Sequence, residues 1–370
     1  MLIFGIGLIT LGSVAPDLKE KLSLDALTSG TLFSILPIGI LAGSLIFGPI
    51  ADRYGYRILM VTSSVLMAFG FEGVSFATTI GSLKICIFFI GLGGGVINGA
   101  TNAMVADISD TGKGANLSLL GVFFGIGALG MPLILGLLEN SFTYSTIVGA
   151  IGVLVIVAGI FFIFVKFPPA KLSHDSPFKG ISVLFRDKVI LLIAFFLFFQ
   201  SSFEGILNNW TTTWLIDHLS LSQNMALYGL STYVAGMVIM RLIIGSFLRN
   251  VSPRKILLTS FALMITGLIF LRTCTAFFPA LSGLLILGAG LAGGFPIMLG
   301  FTGDLYKDLS GTAFSFVLAV GLTGNMMINY LMGIISQKFG IVHLITVAFG
   351  ESVILIIIGL SILNKLKIYK

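Results

Sequence analysis

Gln200, Glu204 and Asn208 recur at every fourth position of one apolar run, and Asn209 and Trp210 follow at once. At that spacing the first three share one helix face. Carboxylate and amide groups bond solute hydroxyls, and an indole can cover the apolar face of a sugar ring. Glu204 lies about 16 residues into its run, roughly 24 Å along a helix at ~1.5 Å per residue. If the run spans a membrane, the acid sits near mid-bilayer, where a charge costs at least ~2.5 kcal/mol and therefore faces a cavity or a partner. Glu204 is thus a candidate both to bind a polar solute and to take up a proton. The blander alternative is an acid that only bonds a neighbouring helix.

Composition makes the membrane reading firm. Of 370 residues, 56% are hydrophobic and 10% charged, against roughly 25% charged in soluble domains. So few charges could not cover the surface of a soluble fold. A span needs about 20 apolar residues, and twelve runs qualify, at roughly 1–18, 27–51, 56–79, 82–106, 114–138, 144–166, 188–217, 222–248, 254–277, 279–303, 310–337 and 341–364. The polar link 167–187 divides them six and six. The expected domains are therefore a bundle at 1–166, a cytoplasmic linker at 167–187 and a second bundle at 188–370.

Orientation follows from the basic residues. Of the 21 Lys and Arg, Lys19, Lys21, Lys84, Arg272 and Lys338 fall on one side, Arg241 lies inside a span, and the remaining fifteen fall on the other. That majority side is the cytoplasm, and the C-terminus lies there. The charge of +6 sits at helix ends rather than on one face, so it gives no nucleic-acid signal. Cys86 and Cys274 lie far apart in apolar runs and read as packing residues. No metal-ligand cluster, nucleophile elbow or phosphate-loop lysine appears, so neither an enzyme, a metal nor a cofactor is expected.

A second constellation is Gly48-Pro-Ile-Ala-Asp52-Arg53-Tyr-Gly55-Tyr-Arg57, a charged turn between two apolar runs. A degenerate copy lies 197 residues on: Gly48 matches Gly245 and Arg57 matches Arg254. At the same offset Asp107 matches Asp304, Gly127 matches Gly324 and Gly136 matches Gly333. One offset serving several helices in order indicates parallel repeats. Extended to span 7, it places the start of span 1 about ten residues before Met1, so span 1 is expected to be shortened.

With turn, repeat and charge bias together, the chain resembles the major facilitator superfamily of secondary transporters. The Gly48, Asp52-Arg53, Gly55 and Arg57 pattern matches that family's loop between spans 2 and 3, lacking one basic residue at Tyr56. The resemblance implies an all-α membrane fold of twelve helices in two parallel six-helix repeats, working by alternating access. It also implies a latch in which Asp52 faces the helix N-terminus near Ser310–Thr312, while Arg53 and Arg57 can pair with Asp107. Spans 1, 4, 7 and 10 would line the central cavity. Span 5, from Gly114 to Pro132, and the Glu204-to-Trp210 stretch are similar to the branch of fucose and glucose/galactose proton symporters. Gly130-Met-Pro132 with Gly136 is more faintly similar to drug:proton antiporters.

The implied activity is proton-coupled movement of a small polar solute, most simply a monosaccharide, across the cytoplasmic (inner) membrane by a monomer. The implied partners are the solute, H+ and the lipid bilayer. The alternatives are a proton-driven exporter of amphipathic compounds and a non-transporting sensor. Solute contacts are expected from Gln200, Glu204, Asn208, Asn209 and Trp210, with Asn98 and Asn102 on span 4. Arg241 either snorkels to the cytoplasmic surface or pairs with an acid in the cavity. Glu72 and Glu351 are expected to bond neighbouring helices, and His343 to be solvated.

Overall fold

A computed structural model of the chain describes residues 1–108, 113–168, 187–246, 251–305 and 310–366. The described residues form α-helices and a single 3-10 turn at Ile341–His343, with no strand among them. Two compact units emerge. The first comprises Met1–His174 with Ser222–Ser231, the second Asp175–Leu221 with Thr232–Lys370. Most of the proposed linker 167–187 lies outside the described residues.

The first unit holds α1 (Leu2–Ser13), α2 (Ala15–Leu22), α3 (Ala26–Tyr54), α4 (Tyr56–Phe76), α5 (Ile80–Ile108), α6 (Lys113–Leu138) and α7 (Tyr144–Phe164). The second holds α8 (Lys188–Leu219), α10 (Pro253–Thr273), α11 (Phe277–Leu291), α12 (Gly294–Leu305), α13 (Ser310–Phe339) and α14 (Leu344–Leu366). Helix α9 (Gln223–Ser246) begins in the first unit and continues in the second. Eleven candidate spans are long and apolar enough to cross a membrane, and the α1–α2 pair makes a twelfth if it is one span. That pair bends by 49°. Pro16 sits at the start of α2, where its missing N–H costs no helical bond.

Packing rests on close glycine contacts. Gly39 of α3 and Gly91 of α5 meet so closely that a Cβ on Gly91 would run into the Leu36 carbonyl oxygen, and one on Gly39 into that of Phe88. Small residues let membrane helices approach to this extent. In the second unit Gly236 of α9 meets the Leu285 carbonyl, and Gly288 of α11 meets that of Tyr233. Gly39 and Gly236 are 197 positions apart, as are Gly91 and Gly288. Gly70 on Ile90 recurs as Gly267 on Leu287, and Gly93 on Met67 as Gly290 on Met264. The internal repeat is therefore a repeat of contacts as well as of letters.

Candidate functional site

The second unit assembles a polar cluster where a helix breaks. Helices α11 and α12 are separated at Ala292–Gly293, which leaves carbonyls at the end of α11 without helical partners. Gln200 of α8 satisfies one, its Nε2 donating to the Leu291 carbonyl at 2.9 Å. The same Nε2 donates to Glu204 Oε1 at 2.8 Å. Gly294 leaves room for this amide, because a Cβ there would stand 2.6 Å from Gln200 Oε1. Discontinuous helices at mid-membrane expose backbone groups that bind solutes and ions in transporters.

Glu204 is not solitary. Arg241 of α9 places Nη2 3.8 Å from its Oε2, with side-chain exposures of 33% for the arginine and 19% for the acid. Of the two readings open for Arg241, the structure supports pairing with an acid. Tyr233, about two helical turns before Arg241 on α9, is fully buried and lies within electrostatic range of both. Its hydroxyl has no hydrogen-bond partner among the described residues. Sequence reasoning missed Tyr233, since a tyrosine in an apolar run carries no signal until its neighbours are known.

One turn on, a second network faces α13. Asn209 Nδ2 and Trp210 Nε1 both donate to Asn329 Oδ1, at 3.1 and 3.3 Å. Asn329 Nδ2 donates to the carbonyl and the side-chain oxygen of Asn325, each at 2.9 Å. Asn325 in turn donates to the Ser201 carbonyl at 3.0 Å. Asn209 and Trp210 are buried, whereas Asn208 is only partly so. The row read as one contact surface thus divides: Glu204 and Asn208 keep exposed area, while Asn209 and Trp210 are tied to α13. Elsewhere on α8, Ser202 Oγ bonds Glu351 of α14, as expected for that acid.

Asn98 and Asn102 lie in the first unit, both half-buried. They bond each other, Asn102 Nδ2 donating to the Asn98 carbonyl at 2.8 Å and to its Oδ1 at 3.1 Å.

At the charged turn, Gly55 adopts φ +78, which only glycine takes at little cost, and so reverses the chain between α3 and α4. Tyr56 packs with Leu59, Met60, Val96 and Ala100 beneath the turn. Arg57 donates from Nη2 to the Val165 carbonyl at 3.1 Å. Gly48, Asp52, Arg53 and Asp107, with Ser310–Thr312, lie outside the described side chains.

The cluster breaks the repeat that the glycines obey. The positions 197 residues before Gln200, Glu204, Tyr233 and Arg241 hold Ile3, Gly7, Leu36 and Ser44. Packing alone therefore does not require an acid–base pair here, and local exceptions to a consistent architecture mark functional sites.

Comparison with known proteins agrees with this architecture. The model of the Major Facilitator Superfamily matches residues 1–232. The glucose/mannose transporter GlcP of Bacillus subtilis is 23% identical over 369 residues, covering 97% of this chain and 91% of its own. Among solved structures, a D-xylose-proton symporter superposes with TM-score 0.80 at 14% identity, covering 98% of this chain and 94% of that one. A mutant of the nucleoside transporter NupG gives TM-score 0.80 at 15% identity over 98% and 96%. All-helical fold, candidate spans and family match converge: the chain belongs to the Major Facilitator Superfamily.

Proposed function

We propose that the protein imports a monosaccharide or similar small polyol together with a proton, by alternating access across the cytoplasmic membrane. The observation that carries the reading is the Gln200–Glu204–Arg241 cluster at the α11–α12 break, a polar site without a counterpart in the first half. Glu204 and Asn208 offer an acceptor and an amide to solute hydroxyls. Asn209 and Trp210, held by Asn329, frame the site from behind. Glu204 takes the coupling proton. In its ionised form it holds Arg241; once protonated it releases the guanidinium, so proton and solute change the same network. Asn98 and Asn102 supply amides from the first half, and the Asp52–Arg57 turn serves as the latch. Kinship with a glucose/mannose transporter and likeness to a D-xylose-proton symporter support a sugar. The Lys and Arg distribution supports a cytoplasmic C-terminus, and the working unit is a monomer.

The test is uptake of labelled monosaccharides into proteoliposomes with and without an inward proton gradient. Gradient-driven accumulation of one or more sugars is the expected result. If no sugar moves while an amphipathic dye is expelled against a proton gradient, the exporter reading replaces this one. If nothing moves under any gradient, the sensor reading does.

A further inference from the structure

The first unit contains a cleft of about 290 Å³ at the end remote from the Gly55 turn, where α2, the α6–α7 connection and the start of α9 meet. Ligand clefts begin at roughly 300 Å³, so this one suits a small solute. Its polar lining is organised. Gln223 Nε2 donates to Asp17 Oδ2 at 2.6 Å. Lys21 is occupied elsewhere: its Nζ lies 5.7 Å from the centre of the Tyr144 ring and donates to the Ser75 carbonyl at 3.4 Å. The two carboxylates of Asp17 and Glu139 therefore offer more acceptor capacity than the cleft's own donors consume. The Tyr144 hydroxyl is buried without a partner among the described residues. Phe142, 51% exposed, adds an aromatic face at the rim. Gly136 lets α6 approach α9 here, 3.0 Å from the Tyr228 ring as judged from a Cβ placed on it.

We propose that this cleft is a second solute site, additional to the Glu204 cluster, which takes a neutral, hydroxyl-rich ring. Hydroxyl hydrogens satisfy Asp17 and Glu139, and Phe142 covers the ring face. Two carboxylates exclude an anion. The choice of a monosaccharide rests on the function proposed above.

The test is equilibrium binding of labelled glucose and mannose to purified protein, for wild type, Asp17→Asn, Glu139→Gln, Phe142→Ala and Glu204→Gln. Thermal unfolding checks that each variant is folded, and the exposed Phe142 gives a variant that spares the interior. The expected result is two binding components in wild type, one of which weakens about tenfold or more in each cleft variant. Transport by those variants shows raised KM at unchanged kcat. A single component that every cleft variant retains overturns this inference and leaves the transport reading standing. Absence of sugar binding in wild type overturns both. Binding of an organic cation instead, lost in Asp17→Asn, overturns the sugar assignment for the cleft alone.

Discussion

Arg241 of α9 stands 3.8 Å from Glu204 of α8, a cation–anion pair inside the second unit of an otherwise apolar chain. Breaking a partly buried pair from one side leaves the other charge unsatisfied, which costs more than removing both. Arg241→Met is expected to lower stability by about 1–3 kcal/mol, discounted for the pair's exposure. The double variant Arg241→Met with Glu204→Gln is expected to recover most of that loss without recovering transport. Thermal unfolding in detergent reads the first effect and proteoliposome uptake the second. A double variant no more stable than Arg241→Met contradicts the pairing.

Asn329 gathers two donors, from Asn209 and Trp210. Asn329→Leu removes that shared acceptor and leaves the buried Asn209 amide without it, at a cost of ~1–3 kcal/mol. The chain has only two tryptophans, and Trp214 lies four residues beyond Trp210 on the same helix. Intrinsic fluorescence therefore reports on this region. The variant is expected to shift the emission maximum and to weaken solute binding. An unchanged spectrum with unchanged binding would show that the network is dispensable.

Gly91→Ala is expected to push α5 away from α3, because the new Cβ meets the Leu36 carbonyl. Overpacking of this kind costs about 1–3 kcal/mol. Gly288→Ala, its partner in the repeat, is expected to cost a similar amount against the Tyr233 carbonyl. Parallel falls in unfolding temperature are the check. A neutral Gly288→Ala would mean that the two halves pack differently at equivalent positions.

How much of this was legible beforehand is clearest from those glycines. Apolar run lengths and the 197-residue offset are chemical patterns that survive without any partner, so spans, repeat and family could be read from letters. Glu204 was visible for the same reason, as a charge where charge is costly. Arg241 was visible but ambiguous: pairing and snorkelling differ only in where the side chain points. Tyr233, Asn325 and Asn329 owe their roles to which helix they face, and helix neighbours far apart in sequence are a property of the fold. The burial of Asn209 and Trp210, against the partial exposure of Asn208, likewise follows from contact with α13 rather than from spacing along α8.

Glu139 gives a pH prediction for the cleft. Partial desolvation raises its carboxyl above the ordinary range, opposed by the backbone N–H of Asn224. For a carboxyl raised by folding, the neutral form is favoured in the native state, so its contribution to stability is present at low pH and lost as pH rises through the raised value. Solute binding needs the ionised acceptor and runs the opposite way. Affinity at the cleft is expected to fall as pH drops through that raised value, with Asp17, Glu20 and Lys21 the other charges nearby. Titrating the cleft component in wild type and Glu139→Gln is the check; identical pH profiles would remove Glu139 from the solute's contacts.

Asp52→Asn tests the latch. Alternating access needs an element that differs between states, and a static receptor does not. The variant is expected to insert and bind solute while transport falls at least tenfold. Uptake equal to wild type would remove the argument for a latch at this turn.

The central claim is that Glu204 couples proton to solute, and Glu204→Gln in proteoliposomes tests it most directly. Counterflow exchange of a bound sugar needs no net proton movement, whereas accumulation against a gradient does. The variant is expected to keep exchange and to lose gradient-driven accumulation. Accumulation equal to wild type in Glu204→Gln would contradict the account.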